Sequence, residues 1–132
     1  MSSKGLYFIA ERGDERSKIQ ITDMVNTTGD TIRAMVGGYM EVIARGQVNG
    51  VRCILIGHEE ARLVAEPMVN WAAADFAVSL SQNPAFLFQG VFGDCVLIAD
   101  GDEDWRALDD NEVAKVVKYL EHGGFNLVQM TA

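Results

Sequence analysis

A histidine beside two glutamates is the group in this chain whose residue types best suit proton transfer. His58 is followed directly by Glu59 and Glu60, and an imidazole with neighbouring carboxylates can act as a general acid or base. The same three residues are also typical of an exposed turn, and no third group is evident that would orient the histidine. A small hydrolase that uses His58 with Glu59 or Glu60 is therefore one alternative, and no catalytic residue is assigned.

A second group of carboxylates alternates along the sequence from Asp100 to Asp104, as in the first half of a calcium loop. The rest of that pattern fails, because Trp105 stands where the loop needs glycine and Asn111 stands where a glutamate should close the coordination shell. We therefore predict a solvated turn with no metal ion. Together with the start of the next helix, these residues predict an acidic face formed by Asp100, Asp102, Glu103, Asp104, Asp109, Asp110 and Glu112.

Two consecutive glycines mark a third candidate site, for a small ligand such as a nucleotide. Neither Gly37-Gly38 nor the segment 90–94 matches a P-loop or a dinucleotide fingerprint, and Gly37 is more simply a residue that ends a helix. No cofactor is predicted. The candidate pocket, which oligomerisation would complete, is formed by Gly37, Gly38, Tyr39, Glu41, Asn70, Trp71 and Asp94.

The charge and composition of the chain limit the classes of macromolecule that it can bind. The chain has 132 residues and a formal net charge of -8, and its 11 basic residues are scattered, whereas nucleic-acid binding needs clustered Lys and Arg. Acidity instead suits a partner protein with a basic surface. No window of about 18 uncharged apolar residues is present, so we expect no membrane span and a cytosolic protein. Cys53 and Cys95 lie in apolar runs and are expected to be free thiols.

Alternating and continuous apolar runs predict the strands, most of which are joined by short turns. Asn49-Gly50 marks a hairpin turn because both residue types tolerate positive φ. The strand that follows is continuously apolar after Arg52, which predicts a strand covered on both faces. The predicted strands are 6–9, 18–22, 39–44, 51–56, 86–88, 93–99, 105–108 and 125–130, with a brief one at 63–65.

Three helices are predicted from helical spacing and from their caps. The first is capped by Thr27 or Thr28 and ends at Gly37, the second follows Asn70 and ends before 82–84, and the third opens with a capping box between Asp109 and Glu112. Strands outnumber helices. We therefore predict one α+β domain over residues 1–132, with a mainly antiparallel sheet built from hairpins and about three helices packed on one face.

Four short segments carry a resemblance to a known family. They are Val36 to Glu41 (Val-Gly-Gly-Tyr-Met-Glu), Glu59-Glu60, Pro67 to Ala72 (Pro-Met-Val-Asn-Trp-Ala) and Gly93 to Ile98 (Gly-Asp-Cys-Val-Leu-Ile). In this order they resemble a family of small uncharacterised proteins from bacteriophages, plasmids and bacteria. The resemblance covers about residues 28–99, and the chain departs from the pattern at Ala61-Arg62, where a glycine is usual.

The resemblance implies a phage-type setting and carries no activity. Combined with the acidity and the lack of a catalytic constellation, it favours an accessory protein that binds a host or phage macromolecule without catalysis, for example as an inhibitor of a defence system. The acidic face would be the contact surface. A small-ligand binding protein and the hydrolase are the alternatives, and homo-oligomers are compatible with each.

Overall fold

The computed structural model describes residues 4–10, 18–24, 29–61, 63, 67–101, 105–125 and 127–128. Its elements, in chain order, are β1 (Lys4–Ile9), β2 (Lys18–Asp23), α1 (Gly29–Val36), β3 (Met40–Val48), β4 (Val51–His58), α2 (Trp71–Ser81), α3 (Ala85–Gln89), β5 (Cys95–Asp100), β6 (Trp105–Arg106), α4 (Asp110–His122) and β7 (Leu127–Val128). The turn between the first two strands, at 11–17, and the predicted caps at 27 and 28 lie outside the described residues.

The strands form one sheet in the order β3-β4-β5-β1-β2-β7, and β6 pairs with β5 beyond the end of β1. Every pair is antiparallel except β2 with β7. The predicted α+β class with a mainly antiparallel sheet is therefore confirmed. β4 and β5 lie inside the sheet, and β3 forms one edge. β4, which the sequence predicts to be covered on both faces, is therefore a strand in the middle of the sheet.

Alternation along the central strands divides the core between the two faces of the sheet. Cys53 and Leu55 of β4 belong to the larger core cluster, which α2 and α4 cover. Ile54 and Ile56 belong to a smaller cluster on the opposite face, which α1 covers. The expectation that all helices pack on one face is therefore wrong, because continuously apolar strands leave two apolar faces that both need a cover. We call the α2 and α4 side the major face.

The β3–β4 hairpin turns at Asn49 and Gly50, which both have positive φ, 49° and 82°. This two-residue turn matches the prediction, but β3 continues to Val48 and does not end at Ala44. The pairing register shifts between Val42 and Ala44, which makes Ile43 the extra residue of a β-bulge. The side chain of Ile43 packs against the core of the major face, over Gly57.

Helix α2 begins as predicted, since the side chain of Asn70 accepts the backbone N–H of Ala73 at 3.1 Å. The prediction of a strand at 86–88 is wrong, because Ala85–Gln89 is a short helix. Pro84 supplies a helical φ of -68° at its start, and the side chain of Asn83 accepts the N–H of Ala85. Five residues are too few to show a helical period, and the three consecutive apolar residues at 86–88 are equally typical of a short buried strand.

Helix α4 has the predicted capping box between Asp109 and Glu112. Val113, Val116 and Leu120 form its buried stripe. The final strand is shorter than predicted, at Leu127–Val128. Of the brief strand predicted at 63–65, Leu63 lies in a bend and the other two residues lie outside the described part of the chain.

Both cysteines are free and buried on the major face. Burial raises the pKa of the Cys53 thiol to about 12, and it also raises the pKa of the Cys95 thiol. Thiols held in this protonated state are weak nucleophiles, which fits the prediction that both residues fill the core. None of the described helices combines the length and the apolarity needed to cross a bilayer.

Candidate functional site

One cleft of about 220 Å³ opens where the free ends of β3 and β4 meet the segment between α2 and β5. We call it the hairpin cleft. Its first wall comes from the start of β3 and from the end of β4 with the turn that follows. The residues of this wall are Glu41, Ile43, His58, Glu59 and Ala61.

The second wall of the hairpin cleft comes from α3 and the loop after it. It is formed by Phe86, Gly90, Val91 and Phe92. Val91 is buried in the core of the major face, and Phe86 packs against that core. Gly90 has a φ of +76°, and its Cα lies so close to the Phe92 ring that an added β-carbon would sit 3.3 Å from the ring. This wall is therefore apolar and partly aromatic.

Backbone hydrogen bonds fix both walls. The N–H of Glu59 donates to the carbonyl of Tyr39 at 2.8 Å, which ties the turn after β4 to the residue before β3. On the other side, the N–H of Gly93 donates to the carbonyl of Met68 at 2.8 Å, and Phe92 forms an isolated bridge with Val69. The cleft is thus built on elements that the rest of the fold already holds in place.

The polar side chains of the hairpin cleft that the structure describes are mainly acidic. Glu41 and Glu59 are both exposed, and neither forms an ion pair or a side-chain hydrogen bond with another residue of the described chain. The carboxylates of Asp23, Asp30, Asp100 and Glu112 each have a basic partner. Glu41 and Glu59 share the lack of an ion pair within the described chain with the exposed Glu60 and Glu121, but only the first two line the cleft. Two carboxylates that have no ion-pair partner among the described residues therefore line a cleft with an aromatic wall.

His58 lines the same cleft, but its ring is already engaged. Its Nδ1 accepts the backbone N–H of Glu60 at 3.0 Å, which leaves only Nε2 for any proton transfer. The ring also lies against Gly38, where an added β-carbon would be 2.7 Å from Cε1. The histidine thus shapes the turn after β4, and this geometry favours a structural role over that of a general base.

Metal binding has no support in the described part of the chain. No three His, Cys, Asp or Glu side chains come close enough there to share an ion. This holds for Glu41, His58 and Glu59, although all three line one cleft.

Asn70, a predicted ligand-binding residue, is fully buried and all of its polar groups are used inside the protein. Its amide nitrogen donates to the carbonyls of Phe8 and Gly93 at 3.0 and 2.9 Å, while its oxygen caps α2 at Ala73. Asn70 therefore fastens three segments together and offers no atom to a ligand.

Asp94 is also used internally. Its two carboxylate oxygens accept the hydroxyl of Tyr7 at 3.1 Å and the N–H of Ala10 at 2.9 Å. The Tyr7 hydroxyl also lies 2.7 Å from the carbonyl oxygen of Met35, at the end of α1. Burial and the negative charge of Asp94 raise the pKa of Tyr7 to about 12. Asp94 therefore belongs to the contacts that hold α1 and β1 in place.

The other predicted ligand-binding residues are dispersed. Gly37 ends α1 with a φ of +91°, Gly38 lies under the His58 ring, and Trp71 is half-exposed at the start of α2. Tyr39 is 66% exposed and contributes its carbonyl to the turn after β4. Of the seven residues, only Glu41 lines the hairpin cleft.

The acidic face is mixed in charge where it is described. Asp100, Asp109 and Glu112 line a shallow hollow of about 560 Å³ that also contains Arg52, Arg106 and Lys115. Arg106 holds Glu112 through two hydrogen bonds of 2.6 and 2.7 Å, and Arg45 lies 3.6 Å from Asp100. Asp110 is exposed at the start of α4, whereas Asp102, Glu103 and Asp104 lie outside the described residues.

Sequence reasoning found the acidic residues of the hairpin cleft but missed its aromatic wall. The sequence places Glu41 in the predicted ligand pocket and His58 with Glu59 in the predicted hydrolase site, because these residues are separated in sequence and only the β3–β4 pairing brings them together. Phe86 belongs to the predicted strand 86–88, and Phe92 falls between that strand and the predicted strand 93–99. A proline at 84 followed by an apolar run is a signal that could have indicated the short helix.

Comparisons with protein-family models, with curated proteins and with solved structures found no match for this chain.

Proposed function

We propose that this protein is a small, non-catalytic binding protein whose hairpin cleft contacts a partner protein with a basic surface. The observation that carries this proposal is the pair of carboxylates, Glu41 and Glu59, that line the cleft without an ion-pair partner among the described residues. Charges left unpaired at the surface are available for complementary contacts, which steer and select a partner.

Exposed apolar residues on the same elements support a protein as the ligand. Phe88 and Leu87, which follow Phe86 in α3, are 87% and 45% exposed, and Tyr39 precedes β3. Aromatic and large apolar residues are enriched at protein interfaces, where they supply most of the buried area. Apolar groups beside unpaired carboxylates fit a contact with both an apolar part and a charged part.

The volume of the cleft also distinguishes between a nucleotide and a protein side chain as its ligand. Small-molecule sites usually enclose about 300–1,000 Å³, whereas the hairpin cleft has about 220 Å³. A whole nucleotide is therefore less well accommodated than a single side chain of a partner. The internal use of Asn70 and Asp94 weakens the nucleotide alternative further, and the engaged Nδ1 of His58 weakens the hydrolase.

The biological setting of the proposal comes from the resemblance described above. If the resemblance of the four short segments reflects kinship with phage and plasmid proteins, the partner is a host or phage macromolecule, and a component of a host defence system is one such target. The net charge of -8 suits a basic protein of this kind and does not suit DNA itself.

A capture experiment with matched charge reversals tests the proposal. The wild-type chain, the double variant Glu41→Lys with Glu59→Lys, and the control Glu60→Lys with Glu121→Lys are immobilised and exposed to a bacterial lysate. Both variants change the net charge equally, but neither control residue lines the hairpin cleft. We expect the wild type and the control to retain basic proteins that the cleft variant does not retain. We also expect less of these proteins to be retained at higher salt. Equal capture by all three chains would reject the cleft as the contact surface.

The acidic segment at 100–104 is a second candidate contact, and the same assay includes it. Reversing Asp102, Glu103 and Asp104 together changes three charges of this segment. If this variant loses the basic proteins while the cleft variant keeps them, the contact lies on the acidic face that the sequence indicates.

A further inference from the structure

We infer that the hairpin cleft takes one arginine side chain of the partner protein, with its guanidinium between the two glutamates and the aromatic wall. This inference rests on the proposed function and specifies its ligand. It requires a site that fits a flat cation on a long apolar stem, and each part of the cleft meets one of these requirements.

The aromatic wall offers a surface to a flat cation. Phe86 and Phe92 line the cleft from one side, and the Phe92 ring is held against Gly90. A cation over an aromatic face is attracted by the negative charge of the ring face, and guanidinium groups also stack there because they are planar. Lysine has a compact, strongly hydrated ammonium that gains less from such a surface.

The opposite wall offers acceptors. The carboxylates of Glu41 and Glu59 come from neighbouring strands, at the start of β3 and just after β4, and they have no internal ion pair among the described residues. A guanidinium presents five N–H donors in a rigid fork that can serve two carboxylates at once. The same group is more weakly hydrated than an ammonium, so it loses less when it enters a partly closed cleft.

The aliphatic part of the cleft lining suits the apolar stem of an arginine. Ile43 and Ala61 of the first wall and the buried Val91 of the second wall are the aliphatic residues that line the cleft, and long basic side chains pack their methylene groups along apolar surface of this kind. The β-bulge supplies Ile43 to this position, because it places that side chain on the major face over Gly57. The backbone hydrogen bonds at Glu59 and Gly93 hold both walls in place before binding, which lowers the entropic cost of closing on a ligand.

A titration followed by two-dimensional NMR tests the inference on the full chain. The probes are N-acetyl-arginine methylamide and N-acetyl-lysine methylamide, which have the same charge. We expect saturable shifts at the amides of Glu41, Glu59 and Phe92 with the arginine probe, and a dissociation constant at least fivefold higher for the lysine probe. Glu59→Gln should weaken arginine binding at least threefold, whereas its neighbour Glu60→Gln, which does not line the cleft, should leave it unchanged.

A variant without the Phe92 ring distinguishes the contribution of stacking to arginine binding from the contribution of charge. Phe92→Leu keeps an apolar wall but removes the ring face, so it should reduce the preference for arginine over lysine to less than twofold while the spectrum stays that of the folded chain. Equal affinity of the wild type for both probes, or shifts away from the cleft, would overturn the arginine inference. The proposed function has its own test, because capture of basic proteins that depends on Glu41 and Glu59 can persist when arginine selectivity is absent.

Discussion

The side-chain amide of Asn70 donates a hydrogen bond of 3.0 Å to the carbonyl oxygen of Phe8, which lies 62 residues earlier in the chain. A second bond from the same amide reaches Gly93, just before β5, and the amide oxygen caps α2. One buried side chain thus connects the end of β1, the start of α2 and the loop that leads from the hairpin cleft to β5. It fixes the position of the aromatic wall without contacting a ligand.

Replacing Asn70 should therefore destabilise the fold strongly. Asn70→Ala removes the cap and takes the amide donor from the buried carbonyl of Phe8 and the partly buried carbonyl of Gly93. The free energy of unfolding should therefore fall by about 2–4 kcal/mol. Asn70→Asp keeps the cap acceptor but also loses both donors, so it should not restore the wild-type value. Urea unfolding monitored by circular dichroism measures both, with the exposed Asn111→Ala as control. A loss below about 0.5 kcal/mol in Asn70→Ala would contradict this role.

The sequence predicted the role of Asn70 as a cap but not its long-range bonds. A cap is a local pattern, because an Asn before an apolar stretch satisfies amides within three residues of it. The bonds to Phe8 and Gly93 depend on how β1 and β5 pair, and nothing near Asn70 in the sequence indicates them. The same distinction explains why the Asn49-Gly50 turn and the Asp109 capping box were predicted, whereas the packing of α1 on the face opposite α2 and α4 was not.

At Gly46, the backbone of β3 lies directly against the backbone of α2. A β-carbon there would lie 2.8 Å from the carbonyl carbon of Leu80 and closer still to its oxygen. Backbone atoms cannot swing aside as a side chain can, so Gly46→Ala should push α2 away from the sheet and cost about 2 kcal/mol or more. Thermal unfolding compared with Gln47→Ala, a change at the next and exposed position, measures this. Equal melting temperatures of the two variants would contradict this close backbone contact between Gly46 of β3 and Leu80 of α2.

The Arg106–Glu112 pair should make stability depend on pH. The hydrogen bonds from Arg106 lower the pKa of Glu112 below its ordinary value, and the capping contact with Asp109 adds to this. The unfolded chain therefore binds the proton more tightly, and the stabilisation is complete above about pH 4–5 and is lost as the pH falls through the folded-state pKa. Glu112→Gln should cost about 1 kcal/mol at pH 7 and much less near pH 3.

Urea unfolding of Glu112→Gln at several pH values checks this prediction. Glu121→Gln, which changes an exposed carboxylate on the same helix, serves as the control and should follow the wild type at every pH. A cost for Glu112→Gln that stays constant between pH 3 and pH 7 would mean that the charge of Glu112 is not the source of the stabilisation.

The candidate site was only partly predictable for a physical reason. Glu41 and Glu59 were singled out because charged residues beside glycines and turns are visible in sequence. Their common cleft depends on the β3–β4 register and on the bulge at Ile43, and bulges have no reliable local signature. The opposite wall depends on α3, whose five residues fall below the length at which periodicity identifies a helix.

The central claim is that a basic partner binds through the two carboxylates of the hairpin cleft. Its most direct test is the dissociation constant of a captured, purified partner, measured by calorimetry for the wild type, for Glu41→Gln with Glu59→Gln, and for Glu60→Gln with Glu121→Gln. We expect binding to the cleft variant to weaken at least tenfold, about 1.4 kcal/mol, and the control to stay within twofold of the wild type. Equal weakening in both double variants would show that overall charge, and not the hairpin cleft, holds the partner.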